Sequence, residues 1–147
     1  MKCIFCEEPK IKDRQIIENE YAWSFPTNIP ITPGHTLIAP KRCVSKYEDL
    51  VLDEKNAIED LRVKICNSLK KTFGAEGFNF AWNDGSECGQ SIPHFHLHIV
   101  PRKKGDTGIY KYEPREFLYR TGDREASPEE EIKKVAEIIR DNVIGMM

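Results

Sequence analysis

The residues best equipped for chemistry are concentrated in Ser91-Ile92-Pro93-His94-Phe95-His96-Leu97-His98-Ile99-Val100-Pro101-Arg102, which holds three of the four histidines in the chain. Between the two prolines histidine alternates with Phe, Leu and Ile, the apolar/polar alternation of a half-buried strand. Side chains at i, i+2 and i+4 of a strand share a face. The pattern therefore predicts a strand over residues 94–100 with His94, His96 and His98 in one row and Phe95, Leu97 and Ile99 in a core. At roughly 3.3 Å per residue the row is about 13 Å long. Zinc binds nitrogen at about 2.0–2.1 Å, so one ion does not reach all three and the histidines must divide their work. A neutral imidazole, with an ordinary pKa near 6.5, can attack phosphorus at neutral pH without a separate base.

A second set of reactive side chains is sulfur. Cys3-Ile4-Phe5-Cys6 is a C-x2-C pair with no preceding strand of the kind a thioredoxin-like motif needs, so metal binding is favoured over redox exchange. A closed tetrahedral zinc site requires two more ligands, for which His35, Cys43, Cys66, Cys88 and His94 are the candidates. Cys66 falls on an apolar helical stripe and Cys88 in a glycine-containing loop, so both have simpler explanations.

These groups need a scaffold. Residues 14–17 and 21–25 read as short strands joined by Glu18-Asn19-Glu20, with Tyr21, Trp23 and Phe25 on one face. Tyr21 and Trp23 are expected in the core. Pro26-Thr27-Asn28-Ile29-Pro30-Ile31-Thr32-Pro33-Gly34 is a proline-stiffened loop that leads into a strand at residues 35–39. Ala57, Ile58, Leu61, Ile65 and Leu69 recur at helical spacing, which predicts a helix over about residues 53–73 with Asp53 as N-cap and Gly74 as stop. Residues 77–82 alternate as a strand and enter Asn83-Asp84-Gly85-Ser86-Glu87-Cys88-Gly89-Gln90, whose glycines allow backbone N–H groups to turn toward an anion. A last helix is expected over about residues 128–143, with Ser127 as N-cap and Pro128 in the first turn. The expected fold is α+β: an antiparallel sheet of about five strands carrying the histidine row, packed on the long helix, with the C-terminal helix as an extension of one domain spanning residues 1–147.

His94-Phe95-His96-Leu97-His98-Ile99-Val100 resembles the histidine triad (HIT) signature. Asn83-Asp84-Gly85 with Gly89-Gln90-Ser91, and Pro33-Gly34-His35-Thr36-Leu37, are similar to two other segments of that family in the same order. The resemblance implies a HIT-like fold and a nucleotide hydrolase or nucleotidyl transferase. His96 would be the nucleophile toward the α-phosphorus, giving a nucleotidyl-histidine intermediate, and His98 would donate to the phosphate oxygens. The transferase branch resembling galactose-1-phosphate uridylyltransferase has glutamine at that last position, so His98 places the chain nearer the hydrolysing branches. The same resemblance assigns the phosphate to Asn83, Gly89, Gln90, Ser91 and His98, the ribose to Thr27 or Asn28, and the base to Ile4, Phe5 and Phe25. Zinc-bearing relatives use the C-x2-C, the first triad histidine and a histidine after a Pro-Lys-Arg-like segment. Cys43 occupies that position here, after Pro40-Lys41-Arg42, which implies one structural zinc on Cys3, Cys6, Cys43 and His94, with His35 as the runner-up. The implied partners are a purine nucleotide or nucleotide conjugate and a second copy in a homodimer. A nucleotide-binding or partner-binding protein with little turnover is the alternative, since it needs the pocket but not His96.

Composition narrows the classes. A net charge of −2 and a pI near 6.1 supply no global basic field, so a long nucleic acid is not expected. No apolar run approaches the ~20 residues needed to span a bilayer. Five cysteines, an odd number, suit a reducing compartment better than a disulfide framework, and the cytoplasm is the expected location.

Overall fold

The computed structural model describes residues 3–106 and 126–144. Within them the order is α1 (Ile4–Glu7), α2 (Pro9–Asp13), β1 (Ala22–Pro26), β2 (Thr36–Pro40), α3 (Leu52–Thr72), β3 (Gly77–Ala81), β4 (Leu97–Arg102) and α4 (Glu129–Ile144). The four strands form one antiparallel sheet in the order β1-β2-β4-β3. The expected α+β architecture is present, with four strands among the described residues rather than about five. The missing one is the arm at residues 14–17. α2 runs to Asp13, so only a short arm remains to meet β1, through Ile16 N–H to Ser24 O, Ser24 N–H to Ile17 O and a bridge of Glu18 with Trp23. Asn19 closes that turn: its Oδ1 accepts from the backbone N–H of Tyr21 and Ala22, and its Nδ2 donates to Ala57 O on α3.

Alternation in the strands supplies two apolar faces. Ala22, Ile38, Leu97 and Ile99 pack with Ala57, Ile58, Leu61, Ile65 and Leu69 of α3 and with Ala136, Ile139 and Val143 of α4. Trp23, Phe25, Leu37 and Ala39 face the other way and pack with Cys3, Phe5 and Ile11. β1 and β2 are buried at every residue because both faces are covered. Each large apolar side chain in these clusters contributes about 1.5–3 kcal/mol of burial free energy. Tyr21 departs from expectation: it precedes β1 at the hairpin tip and stays 38 % exposed.

α3 begins one residue earlier than expected, and its N-cap is Val51 rather than Asp53. Valine has no side-chain acceptor, so the helix start relies on Glu54, which reaches back to accept the Val51 N–H at 2.9 Å. Glu54 is almost fully buried and also takes the Arg42 guanidinium on both oxygens, at 2.7 and 3.0 Å. α4 starts at Glu129, one residue later than the pattern suggested, and Ser127 ahead of it donates its N–H to Asn28 O. Arg14 clamps the first turn of α4 through Glu129, at 3.0 and 3.1 Å. No described helix is long and apolar enough to cross a membrane.

Candidate nucleophile and metal centre

The histidine strand starts at Leu97, not His94. Pro93 and the close His94 N–H to Ile92 O bond turn the chain, and Phe95 gives its N–H to Val44 O outside the sheet, so ladder pairing begins only two residues later. His94 is thereby removed from the row and fully buried, while His96 and His98 keep the shared face, with ring centroids 5.0 Å apart. Pro101 is tolerated in β4 because β2 pairs only as far as Ile99; beyond that point Thr32 Oγ1 donates to Pro101 O.

His94 and His96 have ring orientations set by backbone groups. His94 Nε2 lies 2.7 Å from Pro40 O; a carbonyl only accepts, so Nε2 carries the proton. His94 Nδ1 then presents its lone pair to Cys3 Sγ at 3.2 Å and Cys6 Sγ at 3.5 Å. His96 Nδ1 lies 2.8 Å from His94 O and must donate to it, so its lone pair is on Nε2. Phe5 stands edge-on to both rings, at 5.7 and 5.0 Å. Burial holds His96 below the usual imidazole range, against the pull of the His94 carbonyl, and so favours the neutral ring.

His98 is oriented through His35. Ile31 N–H is only a donor, so His35 Nδ1 accepts it at 3.1 Å and His35 Nε2 carries a proton toward His98 Nδ1 at 3.0 Å. His98 is left with its own proton on Nε2, as a donor. A nitrogen with its lone pair available and a donating N–H thus stand side by side on one face, groups of the kind that attack phosphorus and stabilise charge on its oxygens.

The structure gathers Cys3, Cys6, Cys43 and His94, with one ligand atom from each lying within 4.8 Å of all the others. His35 belongs to the other side of the triad and is not in this cluster. The donor set fits zinc: three sulfurs and an imidazole nitrogen whose second nitrogen is already held by a carbonyl, the usual outer-shell arrangement. Without a cation Cys6 and Cys43 resist ionisation. Cys6 is pushed up to about 12, first by partial desolvation of its sulfur and then by its hydrogen bonds with Cys3 and Cys43, and the same desolvation raises Cys43. A dication inverts that balance by stabilising the thiolates.

The loop after β3 is tighter than expected. Gly89 N–H goes to Ser86 O and Gln90 N–H to Gly85 O, so both close the loop's own turn, and the Gln90 side chain spans Gly85 N–H and Ser45 O. Gly85 and Gly89 have φ of +107° and +105°, which the turn requires. Of the expected phosphate contacts, Ser91 stands at the entry to the triad, and Asn83 opens the loop. Thr27 Oγ1 accepts from Ile29 N–H next to Asn28, and Thr27 N–H donates to His35 O. Phe5 and Phe25 are buried against one another at 5.1 Å, whereas Ile4 is 49 % exposed. Sequence reasoning had no signal for the Pro40, Val44 and Ser45 carbonyls or the Ile31 N–H, since backbone groups carry no residue-type signature.

Comparison with known proteins agrees with this geometry. Residues 8–105 match the HIT domain family. The chain is 37 % identical over 109 residues to an uncharacterized HIT-like protein of Mycoplasma genitalium, covering 73 % of this chain and 77 % of that one. It is 34 % identical over 113 residues to the bis(5'-adenosyl)-triphosphatase of Dictyostelium discoideum, covering 76 % and 72 % of the two chains. A zinc-bound histidine triad family protein from Mycobacterium smegmatis superposes with a TM-score of 0.74 at 25 % identity, over 99 % of this chain and 96 % of that one. With the triad, its loop and the long family match in place, this chain belongs to the HIT domain family.

Proposed function

We propose that the protein is a hydrolase that cleaves a purine nucleotide conjugate, such as a dinucleoside polyphosphate or nucleoside phosphoramidate, at the α-phosphate. The observation that carries this reading is the His96 tautomer: with Nδ1–H on the His94 carbonyl, Nε2 is the nitrogen free to attack. In-line attack forms the P–N bond as the bond to the leaving group breaks. His98 Nε2–H and Ser91 meet the phosphate oxygens as charge develops, and water then cleaves the nucleotidyl-His96 bond. The D. discoideum relative, named a bis(5'-adenosyl)-triphosphatase, supports hydrolysis of such a conjugate.

In this reading the ribose meets the Thr27–Asn28 turn, the base lies by Ile4 and the edge of the Phe5–Phe25 pair, and Asn83 assists the phosphate. Zinc on Cys3, Cys6, Cys43 and His94 is structural: it ties the N-terminus to the residue whose carbonyl holds His96. A homodimer would cover the exposed Phe80 and Trp82 on and next to β3, a sheet edge among the described residues. A reducing cytoplasm suits the five free thiols. α4 packs into the same core as the family-matched residues, which supports reading it as an extension of one domain.

The test is stereochemical. Two successive in-line displacements retain configuration at a chiral, isotopically labelled α-phosphorus, and intact-mass analysis should detect the nucleotidyl adduct on His96. Inversion would mean direct attack by water and would end this mechanism.

A further inference from the structure

The three sulfurs of the metal cluster differ in their access to solvent. Cys3 is buried within the apolar cluster around Phe5, with His94 Nδ1 3.2 Å away, whereas Cys6 and Cys43 are both exposed. Their sulfurs lie within 4.8 Å of one another. A disulfide needs about 2.05 Å, so closure asks for a shift of less than about 3 Å. Neither residue is in the sheet: Cys6 is on the single turn of α1, and Cys43 is in the irregular segment after β2. The metal cluster therefore contains one protected half, Cys3 and His94, and one half open to small oxidants.

We infer that Cys6 and Cys43 form a hydroperoxide-sensitive pair whose oxidation expels the metal. This rests on the zinc reading above. A metal-held Cys6 thiolate attacks one oxygen of the hydroperoxide; the O–O bond breaks, a sulfenic acid forms, and the departing oxygen takes a proton and leaves as an alcohol or as water. The Cys43 thiolate then attacks the Cys6 sulfur, the S–S bond forms, and hydroxide departs and takes a second proton. Two electrons pass from the two sulfurs to the peroxide. Zinc stays divalent throughout and is lost because two of its four ligands have become a neutral disulfide. The consequence reaches the triad, because His94, freed from the metal, is the residue whose carbonyl fixes the His96 tautomer. A thiol reductant with added zinc reverses the sequence.

The experiment uses the full chain, reduced, with its zinc content measured first. Hydrogen peroxide is added, zinc release is followed with a chromogenic chelator, and the disulfide is located by peptide mass mapping. The expected result is release of the bound zinc together with a Cys6–Cys43 disulfide, both reversed by dithiothreitol and zinc. Cys43→His should still hold the metal, since two thiolates and two imidazoles close a tetrahedron. Its release should be slower by about tenfold or more, because the Cys6 sulfenic acid then has no exposed thiolate to close the disulfide. Zinc retained under peroxide, a disulfide that includes Cys3, irreversible sulfinic acid in place of a disulfide, or equal release from Cys43→His each overturns the inference while leaving the metal site standing. A reconstituted protein that binds no zinc overturns the metal reading and this inference with it.

Discussion

His35 Nε2 lies 3.0 Å from His98 Nδ1 and donates its proton to it, so the last histidine of the triad takes its tautomer from a side chain on β2's approach rather than from its own strand. The link works because Leu37 pairs with His98 across the ladder and His35, two residues before Leu37, projects from the same face. His35→Ala should lower kcat by about 10- to 100-fold, the usual weight of a partner that orients a functional imidazole. KM should change little. A kcat equal to that of the unaltered protein would show that His98 needs no such orientation.

The same substitution separates the triad from the proposed zinc site. His35→Ala should retain one zinc per chain, whereas Cys43→Ala should bind it at least about a hundredfold more weakly, since even outer-shell partners are worth 10- to 100-fold. Metal analysis after gel filtration decides between them. Zinc in Cys43→Ala and none in His35→Ala would reverse the assignment.

Removing His96, the proposed nucleophile, tests turnover against simple binding. His96→Asn should reduce hydrolysis on the order of 10⁴-fold or more, as loss of a covalent nucleophile does. Nucleotide affinity measured by calorimetry should be preserved. Unchanged turnover would assign the chemistry elsewhere and favour a protein whose pocket merely binds.

Glu54 predicts an acid-labile helix start. Its hydrogen bonds to the Arg42 guanidinium hold its carboxyl below the usual range, and the Val51 N–H assists against burial. A carboxyl with a depressed folded pKa contributes stability that is present above its unfolded value, about 4.3, and is lost as pH falls through the folded value. Glu54→Gln should cost roughly 1.5–3 kcal/mol at pH 7, the range for a buried charge-assisted hydrogen bond. The difference between the two proteins in urea titrations should shrink at pH 3. A gap that stays constant with pH would exclude this carboxylate as the source.

Gly34 is required by both conformation and space. Its φ is +92°, and a Cβ there would stand 3.0 Å from Leu69 Cδ2 and 3.2 Å from the Phe73 ring. Gly34→Ala should destabilise by about 1–3 kcal/mol. It should also disturb His35, its immediate neighbour, so kcat should fall with stability. Wild-type stability in thermal unfolding would show that the loop relaxes without loss.

The sequence by itself determined the parts that depend on local periodicity. The spacing of Ala57, Ile58, Leu61, Ile65 and Leu69 specified α3 and its buried face, and the alternation of Phe95, Leu97 and Ile99 with histidine put His96 and His98 together on the opposite face. The residue types of Cys3, Cys6 and His94 already pointed to a metal. The tertiary structure alone decided what depends on which distant backbone groups come near. Phe95 N–H finds Val44 O, so the strand starts at Leu97 and His94 drops out of the row. Pro40 O turns His94 Nδ1 toward the thiols, and the end of β2 carries Cys43 to them while His35 goes to His98. Periodicity is written along the chain and survives any fold that keeps its helices and strands. The direction of a carbonyl, and with it the tautomer of each histidine, exists only once segments far apart in sequence have packed.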